Sequence, residues 1–202
     1  MKKLYAVLLS LCIAGAAGAL HAQDAPKADK DKKETAPSEK KGGVEGYSKA
    51  KWGSAMAAAK NDLTGKIVYT DDKRVIQTRD GDITYSYGFF YKEKPGKDNK
   101  TEQETRLFYV NVQFPYLSMQ DVAKKLEAQY GAPTGDSVKN NSGAMIWEFE
   151  KTTIIMWVEQ YEKKPFTKKI TYMSKELTRE ISDYALELFN AGEKKTIETM
   201  KP

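Results

Sequence analysis

Asp82-Ile-Thr-Tyr-Ser-Tyr-Gly-Phe-Phe-Tyr-Lys92 and Arg106-Leu-Phe-Tyr-Val-Asn-Val-Gln-Phe114 are the two stretches on which the fold turns. Read with a period of two, the first puts Tyr85, Tyr87, Phe89 and Tyr91 on one face, and the second puts Phe108, Val110, Val112 and Phe114 on one face. Alternation of this kind in β-branched and aromatic residues predicts strands with one covered side. The charged stretch Glu93 to Thr105 between them, with Pro95 and Gly96, reads as a loop.

Working outward, Lys66 to Thr70 is a further short strand. Before it, Ser54 is placed to cap a helix over Ala55 to Leu63, which Gly65 would stop. The same order follows on the other side. Ser118, with Asp121 three residues on, predicts a helix whose face is Met119, Val122, Ala123, Leu126 and Tyr130, ended by Gly131 ahead of Pro133. Strands are expected at Met145 to Glu150, Thr153 to Glu159 and Lys168 to Met173. A last helix opens at Ser174, with Leu177, Ile181, Tyr184, Ala185 and Leu188 on one stripe and Gly192 as its stop. The chain thus reads αβββ–αβββ–α. Short connections argue for an antiparallel sheet with helices packed on one face plus a C-terminal helix, an α+β fold.

Residues 47–192 carry this pattern as one domain, with 193–202 as a tail. The preceding residues 23–46 alternate Lys with Asp and Glu, hold Pro26 and Pro37, and contain no aromatic residue before Tyr47. Such a composition cannot offset its ordering entropy by burial, so it reads as a disordered charged linker. Residues 1–22 read as a secretory signal peptide: Lys2 and Lys3, an apolar run from Leu4 to Ile13, then small residues up to a cleavage site after Ala22. A retained anchor is the rival reading, but the run is short and rich in Ala and Gly against the roughly 20 apolar residues of a span. Lipidation at Cys12 would need a small residue where Leu11 stands. The expected location is therefore periplasmic or secreted, peripheral to a membrane at most.

Composition then excludes most chemistry. Of 202 residues, 40% are hydrophobic and 11% aromatic, enough for a packed core and far from a multi-span membrane protein. The net charge of +5 loses Lys2 and Lys3 with the leader, so no nucleic acid partner follows from it. The single Cys, Cys12, and the single His, His21, both lie in the leader. A chain cleaved there has no thiol and no imidazole for Cys nucleophiles, Ser-His-Asp hydrolysis, Cys/His zinc or His-ligated haem.

The remaining catalytic patterns are thin. Ser48-Lys49-Ala50-Lys51 has the S-x-x-K spacing but no K-T-G or S-D-N companion. Asp71-Asp72 and Asp80-Gly81-Asp82 lack the alternating ligands and closing Glu of a Ca²⁺ loop and read as turns. Glu148, Glu150 and Glu159 read as solvated strand charges. A hydrolase using only carboxylates, such as Asp71, Asp80 or Glu148, is the enzyme-class rival. No phosphate-binding glycine motif occurs. Asn99-Lys100-Thr101 and Asn140-Asn141-Ser142 match the glycosylation sequon but follow a bacterial-type leader. We therefore expect no catalytic residue, no metal and no cofactor.

What is left is aromatic. Only one side of a sheet can pack under helices, so some strand rings should face outward and bind protein or glycan. Tyr85, Tyr87, Tyr91 and Trp157 are the expected contact residues. Lys51-Trp52-Gly53-Ser54, Gln129-Tyr130-Gly131-Ala132-Pro133 and Trp147 together resemble small extracytoplasmic bacterial proteins of the SmpA/OmlA-like, β-lactamase-inhibitor-like group. The likeness spans most of 47–173 and implies paired αβ units whose sheet binds other proteins. The long strand 82–92 and the last helix do not obviously fit it. The expected function is a non-catalytic envelope module that binds an envelope protein, with glycan or a small ligand as the alternative.

Overall fold

The computed structural model describes residues 44–95 and 101–200. The signal peptide, Cys12, His21 and nearly all of the expected linker lie outside the described residues, as do Asn99 and Lys100 of the first sequon.

The chain opens with a hairpin of β1 (Gly46–Tyr47) and β2 (Ala50–Lys51), then a helical turn α1 (Met56–Ala59). Four strands follow: β3 (Lys66–Thr70), β4 (Val75–Asp80), β5 (Ile83–Pro95) and β6 (Thr101–Ser118). Helix α2 (Met119–Tyr130) leads to β7 (Gly135–Asp136), β8 (Gly143–Glu148), β9 (Thr152–Tyr161) and β10 (Lys164–Ser174). Helix α3 (Lys175–Thr199) ends the described chain. The last eight strands form one antiparallel sheet in the order β3-β4-β5-β6-β10-β9-β8-β7. The fold is α+β. Each run holds four strands where the alternation suggested three; β4 and the two-residue β7 are the additions.

The charged stretch 93–105 is mostly strand and not loop. β5 and β6 stay in register out to Pro95 and Thr101, with Lys92 opposite Glu104 and Glu93 opposite Gln103. Lys92 opposite Glu104 sets unlike charges across the ladder, which favours the pairing.

One extra residue decides which side of β6 is covered. Gly88 pairs with Tyr109, but Phe89 pairs with Leu107, so Phe108 is a bulge. Past the bulge Leu107, not Phe108, joins Val110 and Val112 in the core, where it is fully buried. Tyr85, Tyr87 and Phe89 of β5 lie beside them, with Ile154 and Met156 of β9, Trp147 of β8 and Tyr172 of β10. Val122, Ala123 and Leu126 of α2 cover this side together with Met56 and Ala59 of α1. Phe108 packs edge-on against Tyr109 instead, at 4.7 Å between ring centres.

The helices differ from expectation at their ends. α1 is a single turn: Lys60, Asn61 and Asp62 beyond Ala59 are exposed, and Leu63 packs against the core from outside the helix. Ser54 does not cap it; the Met56 N–H donates to Thr105 Oγ1 at 3.0 Å. At α2, Gly131 adopts φ 86° as the expected stop, and its carbonyl accepts from Trp147 Nε1 at 2.8 Å. Ser174 caps α3 by accepting from the Leu177 N–H at 3.3 Å. That helix runs straight through Gly192, where no residue takes the left-handed conformation. Its first turns lie across the sheet side opposite the core: Phe90, which alternates with Phe89, meets Tyr184 at 5.6 Å, and Arg106 reaches Glu180.

The β1–β2 hairpin is fastened to the turn before β9. Trp52 Nε1 donates to Thr152 Oγ1 at 2.7 Å, the Thr152 hydroxyl donates to the Val44 carbonyl, and Lys151 Nζ meets Glu45 at 2.7 Å. The Lys175 N–H at the start of α3 donates to the Lys151 carbonyl at 3.0 Å.

Two outcomes are expected from this packing. A Cβ on Gly88 would lie 1.8 Å from Tyr109 Cε1. Gly88→Ala should therefore cost roughly 1–3 kcal/mol in denaturant unfolding. In a Tyr109→Ala background most of that cost should vanish, which a double-mutant cycle reads directly. Thr152 is fully buried. Thr152→Val leaves the Trp52 N–H and the Val44 carbonyl without partners and should cost roughly 2–3 kcal/mol, while Thr152→Ser should retain most of the stability.

Candidate functional site

Two aromatic groups stand out, and they lie on opposite sides of the sheet. The first is inward. Tyr85 and Tyr87 stack at 6.4 Å, and Tyr47 of the hairpin packs on both and on Tyr172 at 4.8 Å. Tyr130 at the end of α2 completes the set, 6.4 Å from Tyr172. Tyr85 and Tyr87 are therefore core residues and not contact residues: alternation along β5 turns them toward α2 and the hairpin. The Tyr87 hydroxyl is further occupied in accepting from the Thr64 N–H at 3.0 Å.

Beside this set opens a cleft of about 740 Å³, lined by 44–51, Gln129, Tyr130 and Tyr172. Burial, then the neighbouring phenols, push the Tyr47 and Tyr172 hydroxyls far up from the ordinary tyrosine range. They stay protonated at neutral pH, able to hydrogen-bond but not to act as phenolates. The S-x-x-K residues sit in this hairpin. A helix would set positions i and i+3 on one face. Here Lys51 stands opposite Gly46, and Ser48 occupies the turn at φ 55°.

The second group faces outward. Met156 and Val158 of β9 are core residues, so alternation points Trp157, Glu159 and Tyr161 away from the core. Trp157 is 38% exposed and is held in place: its Nε1 donates to Thr171 Oγ1 at 3.0 Å, and that hydroxyl donates to Asn111 Oδ1 at 2.6 Å. The Lys169 ammonium lies over the indole, 4.7 Å from the ring centre. A bulge in β10 between Phe166 and Lys169 sets Phe166 opposite Glu159 and Lys169 opposite Trp157. Tyr116 stacks on Tyr161 at 4.9 Å and 15°, with Phe166 edge-on to both. Lys168 Nζ joins Glu159 at 2.8 Å and the Tyr116 hydroxyl at 3.1 Å. This bond to Lys168 holds the Glu159 carboxyl below its usual range.

Of the expected contact residues, only Trp157 belongs to this surface. Tyr91 is far along β5, half-buried, with its hydroxyl donating to Glu93 at 2.7 Å and Lys73 over its ring at 5.4 Å. The structure does not bring Tyr91 and Trp157 together, since β6 and β10 lie between their strands. Tyr116, Tyr161, Phe166, Lys168 and Lys169 were missed as a set. The shared parity of Trp157, Glu159 and Tyr161 on one strand was the available signal.

The carboxylates are placed as turn and surface groups. Asp71 Oδ1 accepts the N–H groups of Lys73, Arg74 and Val75 at 2.7–3.1 Å. Partial burial works against its ionisation, but these bonds outweigh it and hold the carboxyl low. Asp80 flanks the β4–β5 turn, where Gly81 takes φ 56°. Glu148 is exposed at the end of β8, 3.6 Å from Lys175. Among the described residues no group of three or more His, Cys, Asp or Glu could hold a metal ion, and no helix is long and apolar enough to cross a membrane.

No family model, no curated protein and no solved structure matches this chain, so its functional reading rests on the residues just described.

Proposed function

We propose that this chain is an exported, non-catalytic envelope protein whose domain binds a protein partner through the outward face of β9, β10 and the end of β6. The observation that carries the reading is the fixed, half-exposed indole of Trp157 beside the Tyr116–Tyr161 stack. Exposed aromatic rings cost little further conformational entropy when hydrogen bonds and cations already hold them. Interface anchors are enriched in Trp, Tyr and Arg, and a rim of charged groups such as Lys168, Lys169 and Glu159 gives register to a partner.

The fold supports the same plan. β6 and β10 close the two four-strand runs and pair with one another at the middle of the sheet. We read the runs as two copies of one helix-led αβ unit, which is the arrangement that the SmpA/OmlA-like resemblance implies. The export reading rests on residues 1–22, and the non-enzymatic reading on the absence of Cys and His after His21.

The test is capture from envelope extracts by wild type and by Trp157→Ala combined with Tyr161→Ala. Both substitutions are at exposed rings, so melting temperatures should change by only a few degrees. Loss of a defined protein partner on the double variant, at least about tenfold in affinity, is the expected result. Identical partners on both proteins would place the contact elsewhere. Binding of envelope oligosaccharide, read as a change in tryptophan fluorescence that Trp157→Ala abolishes, would replace the protein partner by a glycan.

A further inference from the structure

Among the described residues the sheet ends at β3, which has β4 on one side and no strand on the other. Native sheets blunt such edges by shortness, charge or a covering element. The opposite edge, β7, is two residues long, but β3 has five, of which Ile67, Val68 and Tyr69 are 47%, 54% and 53% exposed. Three consecutive exposed apolar residues on a free edge are a pairing surface.

Charge and register together say what pairs there. Lys66 opens the strand and Asp71 follows its last residue, so two such strands running antiparallel set unlike charges opposite each other. Within the chain Lys66 stands opposite Arg79 on β4, a like-charge pair that destabilises a ladder. The Asp71 N–H donates to the Val75 carbonyl at 3.2 Å, so the alternation of an antiparallel ladder turns the main chain of Thr70 outward. Val68 is an extra residue between Ile67, which faces Thr78, and Tyr69, which faces Gln77. Across such a bulge Ile67 is turned outward as well. The outward-facing residues are thus Ile67 and Thr70.

We propose that a second copy of this chain pairs along β3, antiparallel about a two-fold axis between Val68 and Tyr69. This register sets Ile67 opposite Thr70 of the second copy, where outward main chains can exchange hydrogen bonds. Val68 then faces Tyr69, and Lys66 faces Asp71, each pair occurring twice as two-fold symmetry requires. The five-residue strand covers less area than the 1,200–2,000 Å² or so of a standard stable interface, so the dimer is weak and reversible.

Sedimentation equilibrium of the full chain over a wide concentration range tests this, with reductant present so that Cys12 cannot cross-link. Wild type should show a monomer–dimer equilibrium. Lys66→Glu sets two acids opposite each other in the dimer and should weaken it at least about tenfold. In the monomer the same change puts Glu opposite Arg79, so its melting temperature should hold or rise, which separates lost pairing from lost folding. Asp71→Asn keeps an oxygen for the three N–H groups and should weaken the dimer less. A chain monomeric at every concentration, or a dimer indifferent to Lys66→Glu, overturns the proposal.

Discussion

β6 is paired along both sides, with β5 over most of its length and with β10 toward its end. Every other strand of the sheet takes its position from that double ladder. A strand of period two has no freedom to choose its covered face once its register is fixed. The bulge at Phe108 resets that register once, so Leu107 and Val110 both point inward although they are three residues apart. The cost is one unpaired position. In return Tyr109 is laid across Gly88, where any side chain would collide with it. Gly88 is thus fixed by a ring on the neighbouring strand and not by its own backbone angles.

Much of the fold was legible because burial and periodicity agree. β5, β9 and α2 follow their alternation or their 3.6-residue stripe, and Gly131 ends α2 as its type suggests. The failures share a cause, which is that tertiary partners set the boundary. α1 buries only Met56 and Ala59 and ends there, with Leu63 reaching the core from outside it. The stretch 93–105 extends because two charged strands pair with each other, and a polar composition alone reads as a loop. β4 carries Ile76 and Thr78 inward, with Val75, Gln77 and Arg79 between and beside them, an alternation too short to stand out. Gly192 lies inside a helix because nothing there demands a left-handed residue.

The candidate surface was harder to read than the core, since a Tyr in a strand looks the same on either side. That only one side of a sheet packs under helices says that some rings face outward but not which, and β5 carries rings at both parities, Phe90 included. The decision for Tyr85 and Tyr87 lay in Tyr47, far away in sequence, which packs on both. For Trp157 the alternation with Met156 and Val158 was sufficient. Lys168 and Lys169 could not be placed from sequence because the β10 bulge sets where each falls against β9. Parity predicts a face only as far as the next irregularity.

The hairpin and the start of α3 converge on one point: Val44 and Trp52 bond to Thr152, Glu45 to Lys151, and Lys175 to the Lys151 carbonyl. A tension applied through the chain before Val44 therefore reaches the sheet at one place, the first residue of β9 and the turn before it. It falls first on the Thr152 hydroxyl and the Lys151–Glu45 pair, and then peels the two-residue hairpin one bond at a time. Ladders loaded in sequence yield at lower force than ladders sheared together. Such a pull must break those side-chain bonds and the short β1–β2 pairing before it shears the longer ladders behind the outward aromatic face.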